Sequence, residues 1–224
     1  GKRDPDEDKG VDMDTFIFIL EIIGTIAFAS SGAMIAIEKK MDIFGVNVLG
    51  ATTAVGGGIM RDVILGLAPP TAFSKPVYIL IAVVTSTILF AIAYVKMDAM
   101  RSITKSEYYD RLMFWCDTAG LGIFTVVGIQ TASRMMQENN AFFFVFIGVL
   151  TGVGGGVLRD IMAGETPYIL VKHIYACAAI AGGVVCVVSR NMLGSAAGIL
   201  LGLAVTVLLR FLAAHFHWNL MRVQ

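Results

Sequence analysis

The chain has 224 residues, of which 57% are hydrophobic and only 15% charged, well under the charged share of about 25% found in a soluble domain. That leaves too little polar material to coat a water-facing surface. Seventeen acidic and seventeen basic side chains cancel, which excludes the basic footprint of a nucleic-acid binder.

Residues 1–12, GKRDPDEDKGVD, are dense in charge and read as a disordered tail or a fusion scar. From Met13 the sequence turns apolar. A membrane-crossing helix needs roughly 20 mainly apolar residues, and seven such segments follow, at about 15–37, 44–66, 76–95, 111–133, 141–163, 168–189 and 194–214. The first runs too far and too continuously into the body of the chain for a cleaved signal peptide, so it is expected to remain as a span. Connections are short and carry breakers or charges: Glu38-Lys39-Lys40, Pro69-Pro70, the longest at 96–110, and Gln137-Glu138-Asn139-Asn140. Cys116, Cys177 and Cys186 lie inside apolar runs and read as packing, since an odd, scattered set offers neither a disulfide framework nor metal spacing. His173, His215 and His217 form no ligand cluster, so no metal is expected. Phe142-Phe143-Phe144 and Tyr108-Tyr109 suit the aromatic belts at the membrane interfaces.

Orientation follows from lysine and arginine in the short loops. With the N-terminus outside, the inner face holds Lys39, Lys40, Lys96, Arg101, Lys105, Arg111, Lys172 and Arg222, and the outer face Lys75, Arg134 and Arg190, eight against three. The C-terminus is therefore expected in the cytoplasm.

An internal repeat organises the chain. Residues 50–70, GATTAVGGGIMRDVILGLAPP, align without gaps on 148–168, GVLTGVGGGVLRDIMAGETPY, with ten of twenty-one positions identical. Upstream, Glu21, Gly24, Phe28 and Gly32 match Asp117, Gly120, Phe124 and Gly128 after a two-residue slip. The units fall at 13–107 and 108–189, with a seventh helix and tail at 190–224. An odd number of spans per unit makes the second copy enter the membrane from the opposite side, an inverted-repeat plan shared by many transport proteins. The expected fold is thus all-α: a polytopic membrane protein of seven transmembrane helices, an inverted 3+3 repeat plus one. The small-residue face of the seventh, Gly194, Ala197, Gly198 and Gly202, suits close helix packing or oligomer contact.

Gly56-Gly57-Gly58 and Gly154-Gly155-Gly156 fall near the middle of the second and fifth spans, where three glycines cost about 3 kcal/mol of helix propensity relative to alanine. One reading is a kink that frees carbonyls to line an ion path. The other is that glycine lets two helices approach closely. Directly after each triplet come Arg61-Asp62 and Arg159-Asp160, ionisable groups that cost roughly 2.5–3.5 kcal/mol each at the bilayer centre and so require partners or water. Neighbours in sequence do not face each other on a helix, so the arginines are expected to pair with other helices, Glu21 and Asp117 being the candidates. These six groups, four negative and two positive, leave a residual negative potential that favours cations. Alternatively they form a buried latch that neutralises itself. No G-x-S-x-G, H-E-x-x-H or G-x-x-x-x-G-K pattern is present, and no enzyme is expected.

At the duplicated G-G-G-x-x-R-D-x-x-x-G-x-x-P motif the sequence resembles the prokaryotic TRIC channels, relatives of the trimeric intracellular cation channels of animals, over nearly everything from Met13 onward. The resemblance implies a homotrimer in the inner membrane of a prokaryote, each subunit with its own pore for K+ or Na+, lined by kinked second and fifth helices. It implies membrane lipid as a neighbour and no cofactor. Gly56, Gly57, Gly58, Gly154, Gly155 and Gly156 take the kink positions, and Arg61, Asp62, Arg159 and Asp160 the pore or gate positions. The second copy departs at Glu165-Thr166, where the first has Leu67-Ala68, which would make one vestibule more acidic. Proteins described as glycine transporters carry the same motif, so a carrier of glycine or another small zwitterion is the alternative function; a purely structural membrane protein is the third.

Overall fold

The computed structural model describes residues 5–95, 107–136, 140–171, 174–216 and 218. Of the groups weighed for orientation, Lys96, Arg101, Lys105, Lys172 and Arg222 lie outside these residues, as do His173, His217 and most of the 96–110 connection. The helices are α1 (Pro5–Glu38), α2 (Ile43–Ile64), α3 (Thr71–Ser74), α4 (Val77–Val95), α5 (Glu107–Met135), α6 (Ala141–Met162), α7 (Tyr168–Val171), α8 (Tyr175–Leu193) and α9 (Ser195–His215). α1 begins inside the stretch expected to be disordered, at a proline, whose fixed φ and missing N–H suit the first turn of a helix. Among the described residues, seven helices are long and apolar enough to cross a membrane: Met13–Glu38 of α1, α2, α4, Tyr109–Met135 of α5, α6, α8 and α9.

Six of these match the expected spans within a few residues. The sixth is displaced: its expected first turn, Tyr168–Val171, is a separate short helix, and the span begins at Tyr175 after Ile174, whose φ of 23° interrupts the helical path. The first unit has the same plan, with α3 preceding α4.

α1, α2 and α4 pack on one another, and α5, α6 and α8 do likewise; the two units meet along α2–α6 and α1–α5. Their interface is reciprocal, as an inverted two-fold requires. The Phe28 ring fills the space beside Gly120, and the Phe124 ring that beside Gly24, with the two ring centroids 5.3 Å apart. A Cβ at Gly57 would strike the Thr151 carbonyl, and one at Gly155 the Thr53 carbonyl. α2 and α6 therefore cross backbone to backbone at their glycines.

Both run as unbroken α-helix through the triplets. The open hinge expected there is not what the glycines provide: their missing side chains let two helices touch. The seventh helix, α9, packs on α8 and α5 of the second unit. Its Gly198 and Gly202 lie against Cys186 of α8, and Gly202 also against the Gly182 carbonyl, so this face serves packing within the chain. Outward, α4 exposes a stripe of Leu80, Val84, Ile88 and Ile92, and α8 one of Ile180, Val184, Val188 and Met192, each at four-residue spacing. Cys177, read as a packing residue, is exposed on the same helix.

Candidate functional site

The duplicated motif folds as a local unit in which the shared glycine, aspartate and arginine each make the same contact in both copies. After α2, Gly66 takes a φ of 72° and closes the helix, its N–H donating to the Val63 carbonyl and the Leu67 N–H to that of Asp62; Gly164, with φ of 71°, repeats this on Ile161 and Asp160. This double bond pattern is the usual glycine stop at a helix C-terminus. The two aspartates then cap the short helices α3 and α7. Asp62 Oδ2 accepts from the Thr71 N–H of α3 at 2.6 Å, and Asp160 Oδ2 from the Tyr168 N–H of α7 at 2.8 Å.

Each aspartate also holds the arginine before it. Arg61 Nε donates to Asp62 Oδ1 at 2.8 Å, and Arg159 Nε to Asp160 Oδ1 at 2.9 Å. The expectation that sequence neighbours would not pair is thus corrected. At the last turn of a helix a long guanidinium arm folds back on its neighbour, a geometry that spacing rules for mid-helix faces omit.

Beyond this shared frame the two halves differ. In the second half Arg159 is fully buried and its Nη1 donates to Asp117 at 2.8 Å, the pairing expected from sequence, and to Ser31 at 2.5 Å. Tyr175 donates its hydroxyl to Asp117 at 3.2 Å. A third arginine, not among the residues expected from sequence, completes the cluster. Arg210 of α9 puts Nη2 3.2 Å from Asp117 Oδ2 and Nε 3.3 Å from the Thr118 hydroxyl, with its guanidinium 4.6 Å from the Tyr175 ring centre and 4.8 Å from that of Phe114. Asp117 thereby serves two arginines and a tyrosine with no exposure to solvent.

In the first half, Tyr78 donates its hydroxyl to Glu21, the counterpart of the Tyr175–Asp117 bond. Arg61 does not reach Glu21; among the described residues its ion pair is with Asp62. These groups border a cavity of about 40 Å³ whose walls also include Thr25, Ala54, Val55, Gly58, Ala72 and Phe124. A water needs about 10–15 Å³ by this measure, so roughly three fit. Glu21, Arg61 and Thr71 are also walls of a wider vestibule of about 310 Å³, which reaches Asp14, Lys75 and Arg134 at the chain surface. The second span supplies one wall of the inner cavity. The fifth supplies none of it.

Two exposed ion pairs mark the opposite ends of the bundle: Arg134 with Asp14 at 2.5 Å, and Lys39 with Glu165. Glu165, the residue that departs from the repeat, accepts a hydrogen bond from Lys39 and holds that ammonium above its usual pKa.

The family model described as Glycine transporter matches residues 18–94 and 114–191, one match per unit. Among curated relatives, the UPF0126 inner membrane protein YadS of Escherichia coli K12 is 36% identical over 210 residues, covering 91% of this chain and 94% of its own. The UPF0126 membrane protein YvgT of Bacillus subtilis is 34% identical over 202 residues, covering 90% and 94%. Among solved structures, the TRIC trimeric intracellular cation channel orthologue of Rhodobacter sphaeroides superposes with a TM-score of 0.81 at 30% identity, over 91% of this chain and 100% of that one. A structure solved for conductance through TRIC cation channels gives 0.77 at 34% identity, over 92% and 96%.

Proposed function

Because the chain belongs to the Glycine transporter family of two-repeat membrane proteins and has the fold of the prokaryotic TRIC channels, we propose that it is a monovalent cation channel, chiefly for potassium. The observation that carries this reading is the cavity of the first half, where the partly buried Glu21 carboxylate borders both the inner space and a vestibule at one surface. Ionisable residues at such depth are retained where a charged or polar species passes. The inner cavity is lined by two carboxylates, Glu21 and Asp62, against the single guanidinium of Arg61, a balance that favours a cation. We place one such path in each subunit of a homotrimer, the arrangement named for the Rhodobacter sphaeroides orthologue, with the exposed apolar faces meeting lipid or other subunits. The membrane is the bacterial inner membrane, as for the Escherichia coli relative. The N-terminus is outside and the C-terminus inside, so the first-half vestibule opens outward.

A second reading, a carrier for glycine or a similar zwitterion, draws on the family description and on Glu21 and Arg61 facing one small cavity, opposite charges that suit an ammonium and a carboxylate. One preparation of proteoliposomes separates the two. A channel passes potassium down its gradient, read by a voltage-sensitive dye, without saturating glycine counterflow. Saturable glycine counterflow with no potassium-driven potential would establish the carrier instead.

A further inference from the structure

A path that crosses the membrane needs an opening at each face, and the inverted repeat puts equivalent positions of α1 and α5 at opposite ends of the bundle. Asp14, Phe18 and Glu21 of α1 are walls of the first-half vestibule. Their counterparts on α5 are Asp110, Phe114 and Asp117. Asp110 and Phe114 line a groove of about 710 Å³ at the other end, whose facing wall is Phe211, Ala214 and His215 of α9. Asp117 is not among its walls. The vestibule therefore reaches a partly buried Glu21, whereas the groove stops short of an Asp117 that has no exposure at all.

Arg210 stands at the point where the groove ends. Its guanidinium lies 4.8 Å from the centre of the Phe114 ring, a wall of the groove, and its Nη2 lies 3.2 Å from Asp117 Oδ2 beyond. It is also 4.6 Å from the Tyr175 ring centre. In the first half the equivalent rings, Phe18 and Tyr78, meet each other, with centroids 6.2 Å apart. The arginine comes from α9, the span that has no counterpart in the repeat. Around it the charges balance: Asp117 and Asp160 against Arg159 and Arg210. The first half sets Glu21 and Asp62 against Arg61 and keeps Glu21 within reach of the vestibule. A buried carboxylate without a compensating charge must hydrate or take up a proton.

We infer that Arg210 is the residue that seals the second-half end of the path: a built-in cation that stands beside Asp117 where solvent stands beside Glu21, and so divides the groove from the bundle interior. One planar fork meets the carboxylate, the Thr118 hydroxyl at 3.3 Å and two ring faces together; a lysine ammonium, a point charge, does not. That the closed passage is an ion path rests on the channel reading. The seal itself is read by access of a reagent, which needs no current.

The experiment follows labelling of Ser31→Cys by a membrane-impermeant methanethiosulfonate applied to either face of membrane vesicles, in a chain with Cys116, Cys177 and Cys186 replaced by alanine. Ser31 has no exposure and its hydroxyl lies 2.5 Å from Arg159 Nη1, on the Asp117 side of Arg210. With Arg210 in place the thiol reacts slowly from both faces. Arg210→Gln raises the rate roughly tenfold or more from the face that carries His215 and leaves the other unchanged. Arg210→Lys raises it less, and serves if Arg210→Gln does not reach the membrane. Cys186, kept as the sole cysteine, is the control: it packs against Gly202 of α9, about two turns from Arg210, and stays slow in both variants. Fast labelling of Ser31→Cys with Arg210 intact, an unchanged rate in both folded variants, or an equal rise at Cys186, which would mean that α9 has merely come loose, overturns the seal. The predicted labelling in a protein that passes no potassium would remove the channel reading and leave the seal standing; a potassium flux raised by Arg210→Gln would support both.

Discussion

Replacing each glycine of the first triplet by alanine tests whether these residues act by flexibility or by size. A Cβ at Gly57 would stand 2.1 Å from the Thr151 carbonyl oxygen, deep inside ordinary contact, and it would also meet the Gly155 N–H at 3.2 Å. Both neighbours are backbone of α6, which cannot rotate away. The two helices must part, and overpacking of this kind costs about 1–3 kcal/mol or more. At Gly58 the nearest atom is the Arg61 guanidinium at 3.9 Å, an ordinary contact, so the substitution gains up to about 1 kcal/mol of helix propensity. Both substitutions gain the same helix propensity, so these adjacent positions are predicted to differ by roughly 1–3 kcal/mol, the overpacking at Gly57 alone. Thermal unfolding of the purified variants, followed by helical circular dichroism, measures the difference. A hinge would require all three glycines to behave alike, so equal losses at Gly57→Ala and Gly58→Ala would refute the close-approach argument.

Gly155→Ala should repeat the loss of Gly57→Ala, because the Thr53 carbonyl faces it as the Thr151 carbonyl faces Gly57; a neutral melting curve would deny the reciprocal crossing. Arg159→Gln leaves Asp117 and Asp160 without their shared buried partner, and removal of one member of such a pair costs about 3–5 kcal/mol. Poor recovery from membranes and early melting are the expected signs. Arg210→Met is expected to destabilise less when Asp117→Asn accompanies it than the two single changes sum to, and a double-mutant cycle with no coupling would show that the ion pair contributes nothing. Asp62→Ala loses the cap of α3 as well as the arginine contact, and the cap alone is worth about 1 kcal/mol; Asp62→Asn, which keeps an acceptor, should recover part of that loss in the same melting assay.

Much of this architecture is legible in the sequence because hydrocarbon imposes length and polarity on every span. The repeat is legible for a related reason: Gly66, Gly164 and the two Arg-Asp pairs are needed in both copies by the same helix stop and the same cap. The start of the sixth span is not, because Tyr168–Val171 is apolar, and hydropathy does not register a break made by backbone turn and capping at Tyr168. The glycine triplets carry two meanings in sequence, a flexible backbone and a small side chain. A carbonyl on another helix separates them. Arg210 lies outside the duplicated motif, which α9 lacks, and so escapes any search organised by the repeat. A signal for it exists: it is an arginine inside an apolar span, preceded by Thr206, and the high cost of such a charge demands a carboxylate partner. Which carboxylate it meets is not readable, since α5 and α9 are brought together by Gly122 against Leu203 and Thr206 and by Gly202 against Val126.

The most direct measurement is single-channel recording of the purified protein in a planar bilayer under a potassium chloride gradient. Unitary current steps that reverse at the potassium equilibrium potential, and that shrink in Glu21→Gln, are the predicted result. A correctly assembled protein that stays electrically silent, or whose current follows chloride, would contradict a cation path through the first-half cavity.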